Sequence, residues 1–146
     1  MSLITDKVFY NALLSNQTLA DMVEGRIENT TIPVPDDELA NTPVPYIIIT
    51  FDGMQNEGFT KDNSYEGMND KVQVSIEVAA EDREELATIM AEIRQTVIDY
   101  FESVEPEQDD FDLIPQNYTL TASPVQYDSI KPCHFQSLTY NCDTNP

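Results

Sequence analysis

Two adjacent residues, Cys133 and His134, have the side-chain types of a nucleophile and its general base. Neighbouring residues of a β-strand point to opposite faces, so in a strand these two side chains do not easily meet. A second cysteine, Cys142, follows nine positions later. A zinc site needs about four ligands, and His134 is the only histidine in the chain. We therefore predict neither cysteine catalysis nor a zinc site, and expect two partly buried thiols without a disulfide.

An acidic run at Asp109, Asp110 and Asp112 raises the alternative of a calcium loop. The EF-hand pattern requires oxygen ligands at fixed positions with Gly at the sixth and Glu at the twelfth, and this run does not match it. Pro115 also lies inside the span that such a loop would occupy. There is no glycine-rich phosphate loop, no Gly-x-Ser-x-Gly elbow and no His-Glu-x-x-His helix. The sequence thus predicts no enzyme, with no catalytic, cofactor-binding or metal-binding residue.

The charge of the chain is its most unusual property: its 146 residues include 27 acidic and 7 basic ones, which gives a net charge of −20. Such a surface repels phosphate, and the basic residues are scattered, which argues against specific nucleic-acid binding. Arg26 and Arg94 could each anchor an interface, but we favour pairing with an acid of the same chain. The sequence shows no secretory signal and no apolar run near the ~20 residues that span a bilayer, so we expect a cytosolic origin and no membrane partner.

Three helices are predicted from caps and apolar spacing. The first begins at Thr5, and the second is capped by Thr18 and stopped by Gly25. The third spans 82–104, where Asp82 and Glu85 form a capping-box pattern and apolar residues recur every three or four positions.

Strands are predicted at 26–32, 46–51, 71–80 and within 118–142. The second has β-branched and aromatic residues on both faces, which is typical of a central strand covered on two sides and closed by Asp52-Gly53. The third alternates strictly, so it should have one buried and one polar face. Between them, 53–70 is either a long exposed loop or an extended hairpin, and a contact with other subunits would explain its length.

The order of these elements predicts an α+β fold: an antiparallel or mixed sheet with the long helix and the N-terminal helix packed on one face. We expect residues 1–146 to form a single domain. An acidic linker is predicted at about 102–117, since 102–112 contains six acids and no base. The tail, 143–146, should be flexible.

A succession of patterns in residues 5–101, about two-thirds of the chain, resembles a known family. A helical start leads to Val-Glu-Gly-Arg-Ile at 23–27, a proline-rich gap to Pro-Tyr-Ile-Ile-Ile at 45–49, and a variable loop to Lys-Val-Gln-Val-Ser-Ile-Glu-Val at 71–78. An acid-capped helix with Ile93-Arg94 follows. This order and spacing resemble the tail-completion or tail-terminator proteins of long-tailed bacteriophages and related prophages.

The resemblance implies a structural virion subunit, assembled in the cytoplasm of the bacterial host. It implies partners: other copies of itself in a ring, typically six-fold, the tail tube that the ring ends, and the head connector. It implies no catalytic residue. Two alternatives stay open: another neck protein that joins head to tail, and a small acidic metal-binding or ligand-binding domain or enzyme.

If DNA passes through such a ring, the inner wall should be negative, because positive charge would hold phosphates. The polar segment between the two central strands is our candidate for a lumen-facing or subunit-contact loop, through Asp52, Glu57, Lys61, Asp62, Glu66 and Asp70. A solvated loop on the outside of the particle is the alternative.

Overall fold

The computed structural model of the chain describes residues 5–30, 44–57, 69–103, 117–129 and 132–144. In chain order the elements within these ranges are α1 Thr5–Leu14, α2 Gln17–Met22, β1 Ile27–Thr30, β2 Tyr46–Glu57, β3 Asn69–Ala80, α3 Arg83–Ser103, β4 Asn117–Ala122, β5 Gln126–Asp128 and β6 Cys133–Thr144.

The six strands form one sheet in the order β1-β2-β3-β6-β4, and β5 pairs with the first residues of β6. β1 runs parallel to β2, whereas all the other pairs are antiparallel. The sheet is therefore mixed, and the predicted α+β class is confirmed.

One face of the sheet is covered by the helices. On β3, Val74, Ile76 and Val78 point into the same apolar cluster as Phe9 of α1 and Ile93 of α3. The alternation predicted for 71–80 is confirmed, as is the packing of the long helix and the N-terminal helix on a single face. Burial of this continuous apolar surface is the main source of stability that the sequence provides.

The caps explain where the helices begin, and one of them corrects a prediction. Before α3, the Glu85 amide donates to Asp82 Oδ1 at 2.8 Å, which is the first half of the predicted capping box. The second half differs, because Glu85 Oε1 accepts from the amide of Glu81 at 3.3 Å, one residue before the cap. The cap of α2 is Asn16 and not Thr18, because the Leu19 amide donates to Asn16 Oδ1 at 3.2 Å. Asn16 has the extended backbone of a cap, two residues earlier than predicted.

The end predicted for the second strand at Asp52-Gly53 is wrong. β2 continues to Glu57 and pairs with β3 from Asn69 onward, so the hairpin alternative for 53–70 is confirmed over the described residues. The strand passes this point through a bulge, in which Phe51 lies opposite Val74 and Gly53 opposite Gln73. Gly53 has a φ of 148°, which residues with a β-carbon rarely adopt, and this lets the ladder resume.

Several predicted boundaries differ from the observed ones. The first strand covers Ile27–Thr30, and 31–32 lie outside the described residues. The predicted acidic linker overlaps helix at 102–103 and strand at 117, while 104–116 lie outside the description. The predicted flexible tail begins as ordered strand, because β6 pairs with β3 as far as Thr144 opposite Asp70. In the described ranges no helix is both long and apolar enough to span a membrane.

Candidate functional site

Three residues of the candidate contact segment, Asp52, Glu57 and Asp70, are described, and all three lie on the β2–β3 hairpin. Asp52 is the extra residue of the bulge and is exposed. Its Oδ2 accepts hydrogen bonds from Ser75 Oγ and, at 3.2 Å, from Gln73 Nε2. Glu57 is the last residue of β2 and lies opposite Asn69, and Asp70 is the second residue of β3 and lies opposite Asn56. The structure therefore brings both to the same end of the hairpin. The other predicted residues, Lys61, Asp62 and Glu66, lie outside the described residues.

The sheet face opposite the helices, called the second face below, is polar around Asp52. Ser75, in the middle of β3, lies at the centre of this polar region, and its Oγ is also 3.5 Å from Thr139 Oγ1 on β6. Thr139 lies opposite Thr121 of β4. Hydroxyl and amide groups therefore cross three neighbouring strands, with the Asp52 carboxylate held among them.

At its other end the second face has a small apolar cluster of Tyr46, Ile48, Ala79 and Cys133, which Val44 and Phe135 flank. The burial of Tyr46 and Ile48 confirms that the strand is buried on both faces at 46–49, whereas Thr50 and Phe51 are only partly buried. Burial, reinforced by the negative charges of Glu77, Cys133 and Asp128, raises the pKa of Tyr46 to about 12. The Tyr46 phenol thus stays neutral and is a weaker acid than an ordinary tyrosine.

Glu77 is the one charged side chain that β3 places between these two ends of the second face, opposite Ile48 and Ser137. Burial raises the pKa of its carboxyl above the ordinary value of 4.5. Desolvation disfavours the charged form, so the group ionises at a cost to the folded state.

The structure does not bring Cys133 and His134 together. Cys133 packs in the apolar cluster of the second face, whereas the His134 ring lies 5.1 Å from the ring of Tyr127 on β5. Cys142 lies in the main core. Both cysteines are buried and form no disulfide, as predicted.

A groove of about 450 Å³ lies where α1, α2 and α3 meet, and it is the place where a small ligand could be sought. Its polar groups tie the helices to each other: Asn16 Nδ2 donates to Glu92 Oε1 and to Thr96 Oγ1, both at 2.7 Å. The groove's acids, Glu92 and Asp99, are two helical turns apart, about 10 Å along the axis. That spacing does not let them share a cation, and the described residues contain no cluster of three metal ligands.

Arg26 behaves as predicted and pairs within its own chain. Its Nη2 donates to Glu24 Oε2 at 2.9 Å, and its Nε donates to the Pro45 carbonyl at 2.9 Å. The Arg26 carbonyl accepts from the Ile47 amide, so this residue fastens the start of β1 to β2. Arg94 is exposed on α3, and its pairing stays a prediction.

Sequence reasoning missed one surface, the outer edge of β4 and β5. Three large apolar side chains of the described residues are strongly exposed, and two of them, Tyr118 at 38% and Tyr127 at 58%, lie on these strands. The signal that could have found it is a lack of charge. Residues 113–142 contain a single acid, Asp128, and a single base, Lys131, although the whole chain has 27 acids.

No protein-family model matches the sequence, and no curated protein matches it. Among solved structures, the fold is similar to a chain in the virion of a native gene transfer agent (GTA) particle, with a TM-score of 0.53 and 11% sequence identity. The similarity covers 94% of this chain and 92% of that one. It shows that the two chains share a fold over nearly their whole lengths.

Proposed function

We propose that this chain is a structural subunit of a phage-like virion, and specifically a tail terminator. In this role, copies form a ring that ends the tail tube, stops its growth and joins it to the head connector. The observation that carries the proposal is the likeness, over 94% of this chain, to a chain of a gene transfer agent virion.

The sequence supports the finer role independently of that likeness. The order of patterns over 5–101 resembles tail terminators, and the elements that carry those patterns are α2, β1, β2, β3 and α3 of the fold. The turn after α2 is one such feature: Glu24 and Gly25 both have left-handed backbones, with φ of 52° and 78°. The Glu24 amide donates to the Asp21 carbonyl at 3.3 Å and the Gly25 amide to the Ala20 carbonyl at 2.8 Å. This helix end, followed at once by Arg26 and β1, gives a structural reason for the Val-Glu-Gly-Arg-Ile pattern.

Within the ring, we assign the far end of the β2–β3 hairpin to the bore. Both strands of the hairpin are central in the sheet, which fixes the direction in which their ends project. Glu57 and Asp70 bring negative charge to this end, and Asp52 adds a carboxylate nearer the middle of the hairpin. A negative wall lets DNA pass without binding it, because it offers phosphates no counter-charge.

The experiment is deletion of the gene in cells that make the particle, with electron microscopy of the tails and mass spectrometry of purified particles. A tail terminator is expected to be present in wild-type particles, and its loss should give tails of uncontrolled length without heads. Restoring the gene on a plasmid should restore uniform, head-bearing tails and serves as the control.

Two other outcomes would replace the proposal. Tails of normal length that lack heads would assign the chain to head–tail joining, the other neck role. Particles that never contain the chain and are normal without it would exclude a virion role and favour the small binding domain or enzyme.

A further inference from the structure

The sheet has an edge at which no described strand continues it. β4 and then β5 pair with the same side of β6, β4 with its second half and β5 with its first three residues. In the part of the chain that the structure describes, no strand pairs with their outer side. An edge of this kind presents backbone N–H and C=O groups in the geometry that another strand needs for pairing.

This edge is held firmly by the core. Tyr118 of β4 contacts two rings, with ring centroids 6.0 Å from Phe101 of α3 and 5.5 Å from Tyr140 of β6. Phe9 of α1 contacts both of these rings, with ring centroids 5.3 Å from Phe101 and 5.0 Å from Tyr140. A strand fixed in this way loses little further conformational entropy when a partner binds.

The β4 part of this edge has few of the features that usually prevent strand addition. Exposed edges are normally short, charged or interrupted by proline or bulges. The opposite edge, β1, has four residues and an exposed Glu28, and β5 has three residues and ends at Asp128. By contrast, β4 has six residues and no charged side chain, and its Tyr118 is exposed.

We propose that the edge formed by β4 and β5 is the surface through which one copy of this chain binds another, by adding a strand of the neighbour to the sheet. The charge distribution identifies the occupant as a second copy. A basic partner would be attracted to the acidic surface found elsewhere on the chain. A partner that itself carries −20 is repelled there and can approach closely only where the surface is neutral. The inference rests on the proposed function in one respect, that the chain works as several copies.

The test compares two double variants, one with two lysines on the β4 edge and one with two lysines on α3. Thr119→Lys with Thr121→Lys changes two exposed positions of β4, and Ala87→Lys with Ala91→Lys changes two exposed positions of α3. Each pair takes the net charge from −20 to −18, so long-range repulsion between copies falls equally in both. Sedimentation velocity of the full chain over a range of concentrations, in high salt that screens the remaining repulsion, measures association, and the melting temperature confirms folding.

We expect the wild type to self-associate, the edge variant to lose at least tenfold in association constant, and the α3 variant to match or exceed the wild type. The Ser123 amide donates to the Ser137 carbonyl of β6, so the alternation along β4 turns the Tyr118 and Leu120 amides to the outer side. Hydrogen exchange at these two amides should slow as the wild-type concentration rises. Three results would overturn the proposal: equal association constants for both variants, stronger association of the edge variant than of the wild type, or a wild type that stays monomeric throughout. These results are separate from particle composition: an edge-mediated oligomer absent from virions would contradict the proposed function alone.

Discussion

The two faces of the sheet differ in how much apolar surface they bury. The helix-covered face belongs to a cluster of 20 buried residues drawn from all three described helices and four strands, whereas the cluster on the second face has four. The larger cluster explains why the fold tolerates a surface of extreme charge. The second face, with its hydroxyls, Asp52 and Glu77, contributes less apolar burial and is freer to serve contacts with other molecules.

The largest loss of stability is expected from a charge placed in the larger cluster, and it tests this comparison most directly. Ile76→Asp and Ile93→Asp each put a carboxylate at a fully buried site without a partner. A buried unpaired charge costs several kcal/mol, against total stabilities of about 5–15 kcal/mol. We expect both variants to be unfolded or nearly so at 25 °C by circular dichroism.

Thr88→Asp is the matched control, because it adds the same charge at an exposed position of α3. It should melt within a few degrees of the wild type. If Ile76→Asp and Ile93→Asp also kept the wild-type melting temperature, the core described here would be wrong.

The core was the part of the fold that could be predicted, because it follows from periodicity. The alternation of Val72 to Ala80 and the helical spacing from Leu86 to Val97 each specify one buried face, and the two faces meet in the structure. The Asp82 cap of α3 was also predictable, since it depends on residues only three positions apart.

The features that could not be predicted depend on contacts distant in sequence. Asn16 caps α2 rather than Thr18, and its amide also bonds to Thr96, 80 positions away. The bulge at Gly53 is decided by the register with Gln73, which no local pattern of Asp52-Gly53 reveals. For the candidate site, the sequence indicated the hairpin but not its extent. It did not indicate the β4–β5 edge, because that edge is marked by an absence of charge and by pairing with the distant strand β6.

A smaller effect compares the two faces at neighbouring positions of one strand. Ile49 points into the larger cluster and is 0% exposed, whereas Ile48 points into the smaller cluster and is 8% exposed. Truncation of a buried isoleucine to alanine costs about 2–5 kcal/mol, more where the surroundings cannot relax into the cavity. We expect Ile49→Ala near the upper end of that range and Ile48→Ala near the lower end, measured by urea unfolding.

Because the residue type, the strand and the substitution are the same, the pair is its own control. A loss at Ile48 equal to that at Ile49 would show that the second face is packed as tightly as the first. The distinction drawn between the faces would then fail.

The smallest effect concerns the pH dependence that Glu77 confers on the second face. Its pKa is raised in the folded state by burial, from an ordinary value of 4.5. Between the unfolded and the folded pKa the folded state binds the extra proton, so this group makes stability fall as pH rises through that window. Below the window the penalty is absent, and above it the full penalty remains.

Glu77→Gln removes the titration, so its stability relative to the wild type should be greater at pH 7 than at pH 4. Glu92→Gln, which changes a carboxylate that accepts a hydrogen bond from Asn16 in the helix layer, is the comparison. It should not gain stability at pH 7, because its amide loses a charge-assisted hydrogen bond. Urea unfolding of the three proteins at both pH values gives the differences. A relative stability of Glu77→Gln that does not change with pH would show that Glu77 is well solvated, and that the second face is open to water at this point.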